Sequence, residues 1–206
     1  MIYVARHGET DWNRDGRYQG RRESALTELG VVQARALDEA LAREPIERVI
    51  ASPLARCVQT AQPIARRHAV ALETDSNLIE IAHGSWEGRL RSEIERDEPQ
   101  LMQAWRESPQ TVHFPGGESL VDVDRRWRAF AYRLGAADRV LIVTHDVIAR
   151  LAILAATNRP LSRLWEPPVV NAGYAVFAGG GGWELVHSCV DEHLAGSHAD
   201  PASQAL

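Results

Sequence analysis

Two histidines, two arginines and one carboxylate stand at the ends of apolar runs in this 206-residue chain. Arg6 and His7 close the run that begins at Ile2, with Gly8 directly after them. Arg56 lies in "SPLARCVQTA", just past "ERVIAS"; Glu80 lies in "NLIEIAHGSWEG", and His145 in "VTHD". If each run is a strand of one open sheet, these side chains meet beyond the strands' carboxyl ends, the usual ligand crevice of α/β folds. The set suits phosphoryl transfer. Arginines offer planar forks of donors that match phosphate oxygens. A neutral imidazole nitrogen can attack phosphorus, splitting one hard displacement into two easier ones. A protonated carboxyl such as Glu80 would give a proton to the leaving oxygen and, once ionised, take one from the attacking water. The second histidine would donate a hydrogen bond to the transferring group as charge spreads over its oxygens. Gly8, lacking a side chain, would let backbone and ligand approach closely.

The elements that must position these residues can be read from periodicity. Ile2, Val4 and Ala5 mark a short buried strand. Residues 27–43 carry Leu29, Val32, Ala36, Leu37 and Ala40 at helical spacing, with Thr27 as N-cap. Residues 47–52 read as a strand and 53–68 as a helix with Pro53 in its first turn, kinked or broken at Pro63. Residues 69–75 alternate like a strand. Residues 139–145 form the clearest strand, buried on both faces. Residues 146–157 read as a helix capped by Asp146, and 171–190 as a hairpin around a glycine turn. The pattern predicts a single α/β domain over 1–192, with a mostly parallel central sheet flanked by helices on both faces. Residues of about 86–120 break the rhythm and read as a small helical insertion over the site, and 193–206 as a flexible tail.

Bulk composition narrows the partners. The chain is 45% hydrophobic and 25% charged, that of an ordinary soluble domain. Its net charge of −5 argues against nucleic acid, and no apolar run is long enough for a membrane span. No signal peptide is visible, and Cys57 and Cys189 read as free thiols, so the expected compartment is the cytoplasm. All 23 basic residues are arginine, which leaves no lysine for Schiff-base chemistry.

Taken together and in order, "RHGETDWN", "RYQG", "LTELG", "SPLARCVQTA", "LIEIAHGSWEG", "PGGES" and "VTHDVIAR" resemble the histidine phosphatase superfamily, the phosphoglycerate-mutase-like fold. The resemblance runs from about residue 2 to 150, with a weaker echo at "NAGYAVF". It implies that His7 is the phospho-accepting nucleophile and Glu80 the proton donor. It implies a phosphate pocket of Arg6, Arg56 and His145, with Asn13, Gln19 and Gly20 helping to hold the phosphoryl group. It further implies no metal and no cofactor, small phosphorylated metabolites as substrates, and the homodimers common among members.

The chain also departs from the family pattern. Asp146 and Val147 follow the second histidine where small residues are usual; a carboxylate there would repel phosphate, so Asp146 is expected to turn back and cap its helix. Glu23 and Ala25 replace the usual Asp and Pro, and Arg21 and Arg22 are placed to reach a second anionic group. Trp12 and Trp86 adjoin the site motifs and are candidates for lining the cavity, as is His83. The bland readings are packing for Cys57, a structural role for Glu87, and structural or solvated roles for His68, His113, His187, His193 and His198. Mutases of the family carry an Arg-His-Tyr-Gly run after the proton donor, whereas this chain reads Ile81-Ala82-His83-Gly84. The expected activity is therefore a metal-independent phosphomonoesterase working through phosphohistidine on His7, of histidine acid phosphatase type. A cofactor-dependent mutase and a non-catalytic phosphate-binding protein are the alternatives.

Overall fold

The structure, a computed structural model, describes residues 1–135, 138–179 and 183–197. Its strands are β1 (Ile2–Arg6), β2 (Arg48–Ala51), β3 (Leu72–Thr74), β4 (Val140–Thr144), β5 (Tyr174–Ala178) and β6 (Glu184–Val190). Its helices are α1 (Asp11–Arg14), α2 (Glu28–Ala40), α3 (Ala55–Arg67), α4 (Arg91–Asp97), α5 (Pro99–Glu107), α6 (Leu120–Ala131) and α7 (Asp146–Ala156). They build one α/β domain around a sheet of order β3-β2-β4-β1-β5-β6. β1 to β4 run parallel, while β5 and β6 are antiparallel to their neighbours. The mostly parallel sheet expected from the alternating pattern is therefore present, with its four parallel strands ending on one side.

Alternation along β1 divides the core. Ile2 and Val4 point into a cluster with Ile142, Ile148, Trp127 and the aromatic residues of the 84–120 segment. Tyr3 and Ala5 point the other way, against Leu37 of α2 and Cys57, Ala61 and Ile64 of α3. β4, lying between β1 and β2, is buried at all five positions, which is why it reads as a continuous Val/Leu/Ile run.

Several expectations need correcting. Pro63 does not break the helix, since α3 runs from Ala55 through Arg67; burial of Cys57, Ala61, Ile64 and Ala65 outweighs the lost backbone bond. Pro53 precedes α3 instead of lying in its first turn. On α2 the buried face is Gly30, Gln33, Ala34 and Leu37, and Val32 is exposed. The strand expected over 69–75 shortens to three residues. Asp146 is not a cap: His145 holds the extended N-cap position and Asp146 is the first helical residue, its carboxylate taken by two arginines. The segment expected as a loose tail from 193 opens in ordered structure. A 3₁₀ turn spans Glu192–Leu194, Leu194 is buried, and Gln33 Nε2 donates to the Ser197 carbonyl at 2.8 Å. His198, the rest of the tail and the glycine turn at 180–182 lie outside the described residues.

Candidate active site

Arg6 ends β1 opposite Thr144 of β4, so the two central parallel strands deliver Arg6, His7 and His145 to one edge. His7 N–H donates to the Thr144 carbonyl at 3.0 Å, and its own carbonyl accepts from Ala172 N–H and Asn171 Nδ2. From the far side, the Gly8 N–H donates to Thr60 Oγ1 on α3. The turn carrying His7 is thereby tied to β4, to the start of β5 and to α3.

The reason for Gly8 differs from the one expected. A Cβ there would lie 2.5 Å from the carbonyl oxygen of Gly30, and a Cβ on Gly30 would lie 2.0 Å from that of Glu9. The two glycines let the His7 turn press backbone-to-backbone against α2; they do not make room for a ligand.

His7 is 3% exposed. Its Nδ1 lies 2.7 Å from the Gly8 carbonyl, which can only accept, so Nδ1 carries the proton and Nε2 keeps the lone pair. Burial, then the nearby Arg56 and Arg6, push the imidazole well below its ordinary pKa and keep it neutral. The ring of His145 stands edge-on to it at 5.2 Å.

Arg56 projects from the first turn of α3 and is fully buried. Its Nη2 donates to the Gly20 carbonyl and its Nη1 to that of Arg22, both at 2.8 Å, and its Nε donates to His145 Nδ1 at 3.3 Å. Three of the five N–H groups are thus used and two remain. Because His145 Nδ1 accepts, its Nε2–H donates to Ser52 Oγ at 2.8 Å. Both nitrogens of His145 face protein groups in this structure, Arg56 Nε and Ser52 Oγ. The Glu23 carboxylate accepts from Ala55 N–H at the start of α3, a capping contact for the helix that carries Arg56.

Glu80 reaches the same place along a chain of loop contacts. Thr144 Oγ1 donates to the Leu78 carbonyl, and Arg126 on α6 donates to the carbonyls of Asn77 and Glu80. Its carboxyl oxygens accept from Ile81 N–H at 3.0 Å and Val147 N–H at 3.4 Å. Burial, and next the charge of Asp146, raise its pKa to about 7, so it holds a proton near neutrality.

A cleft of about 380 Å³, partly open to solvent, is lined by Arg6, Asn13, Gln19, Gly20, Arg56, Glu80, His83, Asp146, Val147 and Trp165. The structure brings six of the eight residues assigned to the site to its surface and leaves His7 and His145 buried beside it. Asn13 accepts on Oδ1 from Thr10 and Asn171, and Gln19 accepts on Oε1 from Ser24, which leaves the amide nitrogen of each as a donor. Arg6 is 2% exposed, and among the described residues its Nε–H has no hydrogen-bond partner. A buried guanidinium donor on a cleft wall is chemically suited to an anionic oxygen.

Other expectations resolve by position. Trp12 and Trp86 do not line the cleft; Trp86 is buried in an aromatic cluster with Tyr18 and Phe114. His83 does line it, and burial lowers its pKa to about 3, so it is neutral there. Arg21 is held by Glu118 at 2.7 Å and Arg22 is exposed, and neither reaches the cleft surface. Glu87 receives the backbone N–H groups of Arg21 and His83, the structural role expected of it. Cys57 is a buried packing residue whose thiol pKa is pushed up by burial. Trp165, Asn171, Ser52, Arg126 and Arg150 escaped the sequence reading. Only the Asp146–Arg150 pair left a signal there, opposite charges four residues apart on a helix that is otherwise apolar. Among the described residues, no helix is long and apolar enough to cross a membrane, and no three His, Cys, Asp or Glu side chains form a metal-binding group.

The sequence pattern of the histidine phosphatase superfamily (branch 1) matches residues 2–191. The chain belongs to that superfamily. Phosphoserine phosphatase 1 of Hydrogenobacter thermophilus is 35% identical over 178 residues, covering 85% of this chain and 84% of that one. Probable phosphoglycerate mutase GpmB of Yersinia pestis is 29% identical over 210 residues, covering 93% and 98%. The native structure of the mycobacterial glucosyl-3-phosphoglycerate phosphatase Rv2419c superposes with a TM-score of 0.81 at 30% identity, over 90% of this chain and 96% of that one. The superfamily fold thus extends over the strands, α3 and α7, the elements that carry the cleft.

Proposed function

We propose that the protein is a phosphomonoesterase for small phosphorylated metabolites, working through a phosphohistidine on His7. The observation that carries this reading is Arg6. Its buried guanidinium lines a cleft with an unpartnered Nε–H, beside Arg56, which keeps two N–H groups free, and next to a neutral His7 whose Nε2 holds its lone pair. The names of the phosphoserine and glucosyl-3-phosphoglycerate phosphatases support a small ester as substrate.

In the first step the Nε2 lone pair attacks phosphorus, the P–O ester bond breaks, and the leaving oxygen takes the proton from Glu80. Arg6 and Arg56, with the amides of Asn13 and Gln19, meet the charge on the equatorial oxygens. In the second step the ionised Glu80 accepts a proton from water as its oxygen bonds to phosphorus and the N–P bond breaks. Phosphate leaves, and His7 and Glu80 return to their starting states. The arginines supply the positive charge that phosphoryl transfer requires, and turnover is expected to persist in a chelator.

The test is phosphate release from a panel of esters by wild type and His7→Ala, with chelator present. Release by wild type that vanishes in the variant supports the reading; release unaffected by the substitution refutes it. The mutase relative gives reason for a second assay on the same samples. A phosphoryl group passed to a second position of the substrate, with little phosphate released, would make this chain a mutase.

A further inference from the structure

Asp146 is the residue least expected beside a phosphate, and its surroundings explain how it is tolerated. Its Oδ1 lies 3.4 Å from Arg6 Nη1, and its carboxylate accepts from Arg150 Nε at 2.7 Å and Nη2 at 3.3 Å. Arg150 is fixed in turn: Nη1 donates to the Pro167 carbonyl, and the guanidinium lies over the Trp165 ring, 5.2 Å from its centroid. All three charged groups are buried. Among the described residues, Asp146 is the only acidic side chain paired with Arg6.

We propose that Asp146 is a positioning residue of the phosphoryl site: braced by Arg150 and the Trp165 wall, it fixes the direction of the Arg6 fork. The assignment rests on the phosphoryl-site reading above and extends it to a third charged layer. A long side chain leaving the end of a strand has several rotamers, and backbone bonds to Gly173 and Ala172 hold only its root. The ion pair at Nη1 limits those rotamers, and among the described residues the Nε–H has no partner. Charges of +1, −1 and +1 keep one net positive charge for the ester, whereas two bare guanidinium groups would repel each other.

The same carboxylate acts on Glu80. Glu80 faces Asp146 and the Val147 N–H from α7, Arg56 from α3 and Arg6 from β1. It also meets the Ile81 N–H of its own loop, and Arg126 of α6 through its backbone carbonyl. Of the charges among these groups, only that of Asp146 favours the protonated form. Geometry thus gives the two carboxyl groups different neighbours: Glu80 meets two backbone N–H groups, and Asp146 lies between two guanidinium groups.

Two variants test this. Asp146→Asn keeps the shape of the side chain but drops the charge that Arg6 faces. Asp146→Ala with Arg150→Met removes the anchor and its brace together, which avoids leaving a second unpaired buried charge. Calorimetric titration with inorganic phosphate, in a His7→Ala background, reads the Arg6 site without turnover. About a tenfold or larger loss of phosphate affinity is expected in the double variant, with a smaller loss in Asp146→Asn. The alkaline limb of alkyl-ester hydrolysis by Asp146→Asn, with His7 intact, should move to lower pH. Folded variants with phosphate affinity within twofold of the parent and an unmoved limb would overturn the proposal, reducing Asp146 to a helix-end charge visible only in Tm. If wild type hydrolysed no ester, the hydrolase reading would fall while the phosphate titrations still decided the role of Asp146.

Discussion

Glu80→Gln separates the proton-donor role from everything else the side chain does. The amide is nearly isosteric. One oxygen can keep the Ile81 N–H at 3.0 Å, while the amide nitrogen meets the more distant Val147 N–H at 3.4 Å. The cost to the fold is thus one weak hydrogen bond, on the order of 1 kcal/mol. The cost to chemistry depends on the leaving group. A positioned general acid contributes roughly 10²–10⁴-fold, about 3–5 kcal/mol of barrier, when the departing alkoxide cannot leave unprotonated. An aryl phosphate leaves as a stable phenolate and needs almost none of it. The variant should therefore lose at least about a hundredfold in kcat/KM on an alkyl phosphate and less than about tenfold on p-nitrophenyl phosphate.

Acidity sharpens the test. With the Glu80 pKa raised to about 7 by burial and by Asp146, the wild-type group is mostly protonated at pH 6 and only about a tenth protonated at pH 8. Alkyl-ester hydrolysis should fall through that window, and the gap between wild type and variant should shrink about tenfold across it. The folded-state pKa lies above the unfolded value, so this carboxyl favours the fold below about pH 4 and loses that contribution as pH rises through 7. Wild type should accordingly lose more stability than Glu80→Gln between pH 6 and 8. Equal losses on both esters, or an alkaline limb that persists in the variant, would refute Glu80 as the acid.

Three other substitutions probe the rest of the cleft. His7→Ala should abolish ester hydrolysis with little change in Tm, because the bonds tying that turn to Thr144 and Ala172 are made by the main chain; measurable turnover would remove His7 as nucleophile. Arg56→Ala should weaken inorganic phosphate binding and lower stability by about 2–4 kcal/mol in denaturant titration, since the Gly20 and Arg22 carbonyls and His145 Nδ1 all lose their donor. Unchanged phosphate affinity would take Arg56 out of the pocket. Gly8→Ala should destabilise by about 2 kcal/mol or more and slow turnover, because its Cβ would press on the fixed Gly30 carbonyl oxygen; a variant of wild-type stability would refute that packing role.

What could be read in the sequence was whatever a strand delivers locally. The strands β1, β2 and β4 show as apolar runs, and Arg6, His7 and His145 stand at or just past the ends of β1 and β4, so their shared location is recoverable by position alone, whereas Arg56 lies past β2 in the first turn of α3. Glu80 sits six residues past a three-residue strand, and its placement relied on the motif around it. The hidden part is contact between elements distant in the chain. Asn171 touches the His7 carbonyl and Asn13 across more than 150 residues, and Trp165 forms cleft wall from a segment with no periodic signal. Gly8 looked like space for a ligand because the facing backbone at Gly30 lies 22 residues further along the chain.

Asp146 shows why a local rule fails where charges are buried. An acidic residue after a buried strand and before a helix is a sound N-cap candidate, because exposed backbone N–H groups compete only with water for its carboxylate. Here the competitors are two guanidinium groups, one ending β1 and one a turn further along α7, both withdrawn from solvent. Desolvation strengthens the ionic contacts more than the capping bond, so the carboxylate turns toward the arginines and the helix begins at Asp146, with His145 as an N-cap that makes no side-chain bond. The same shift of partner turns an apparent liability beside a phosphate into a fixed counter-charge. The cleft can therefore hold two carboxyl groups, one whose pKa burial raises to about 7 and the other paired with two arginines.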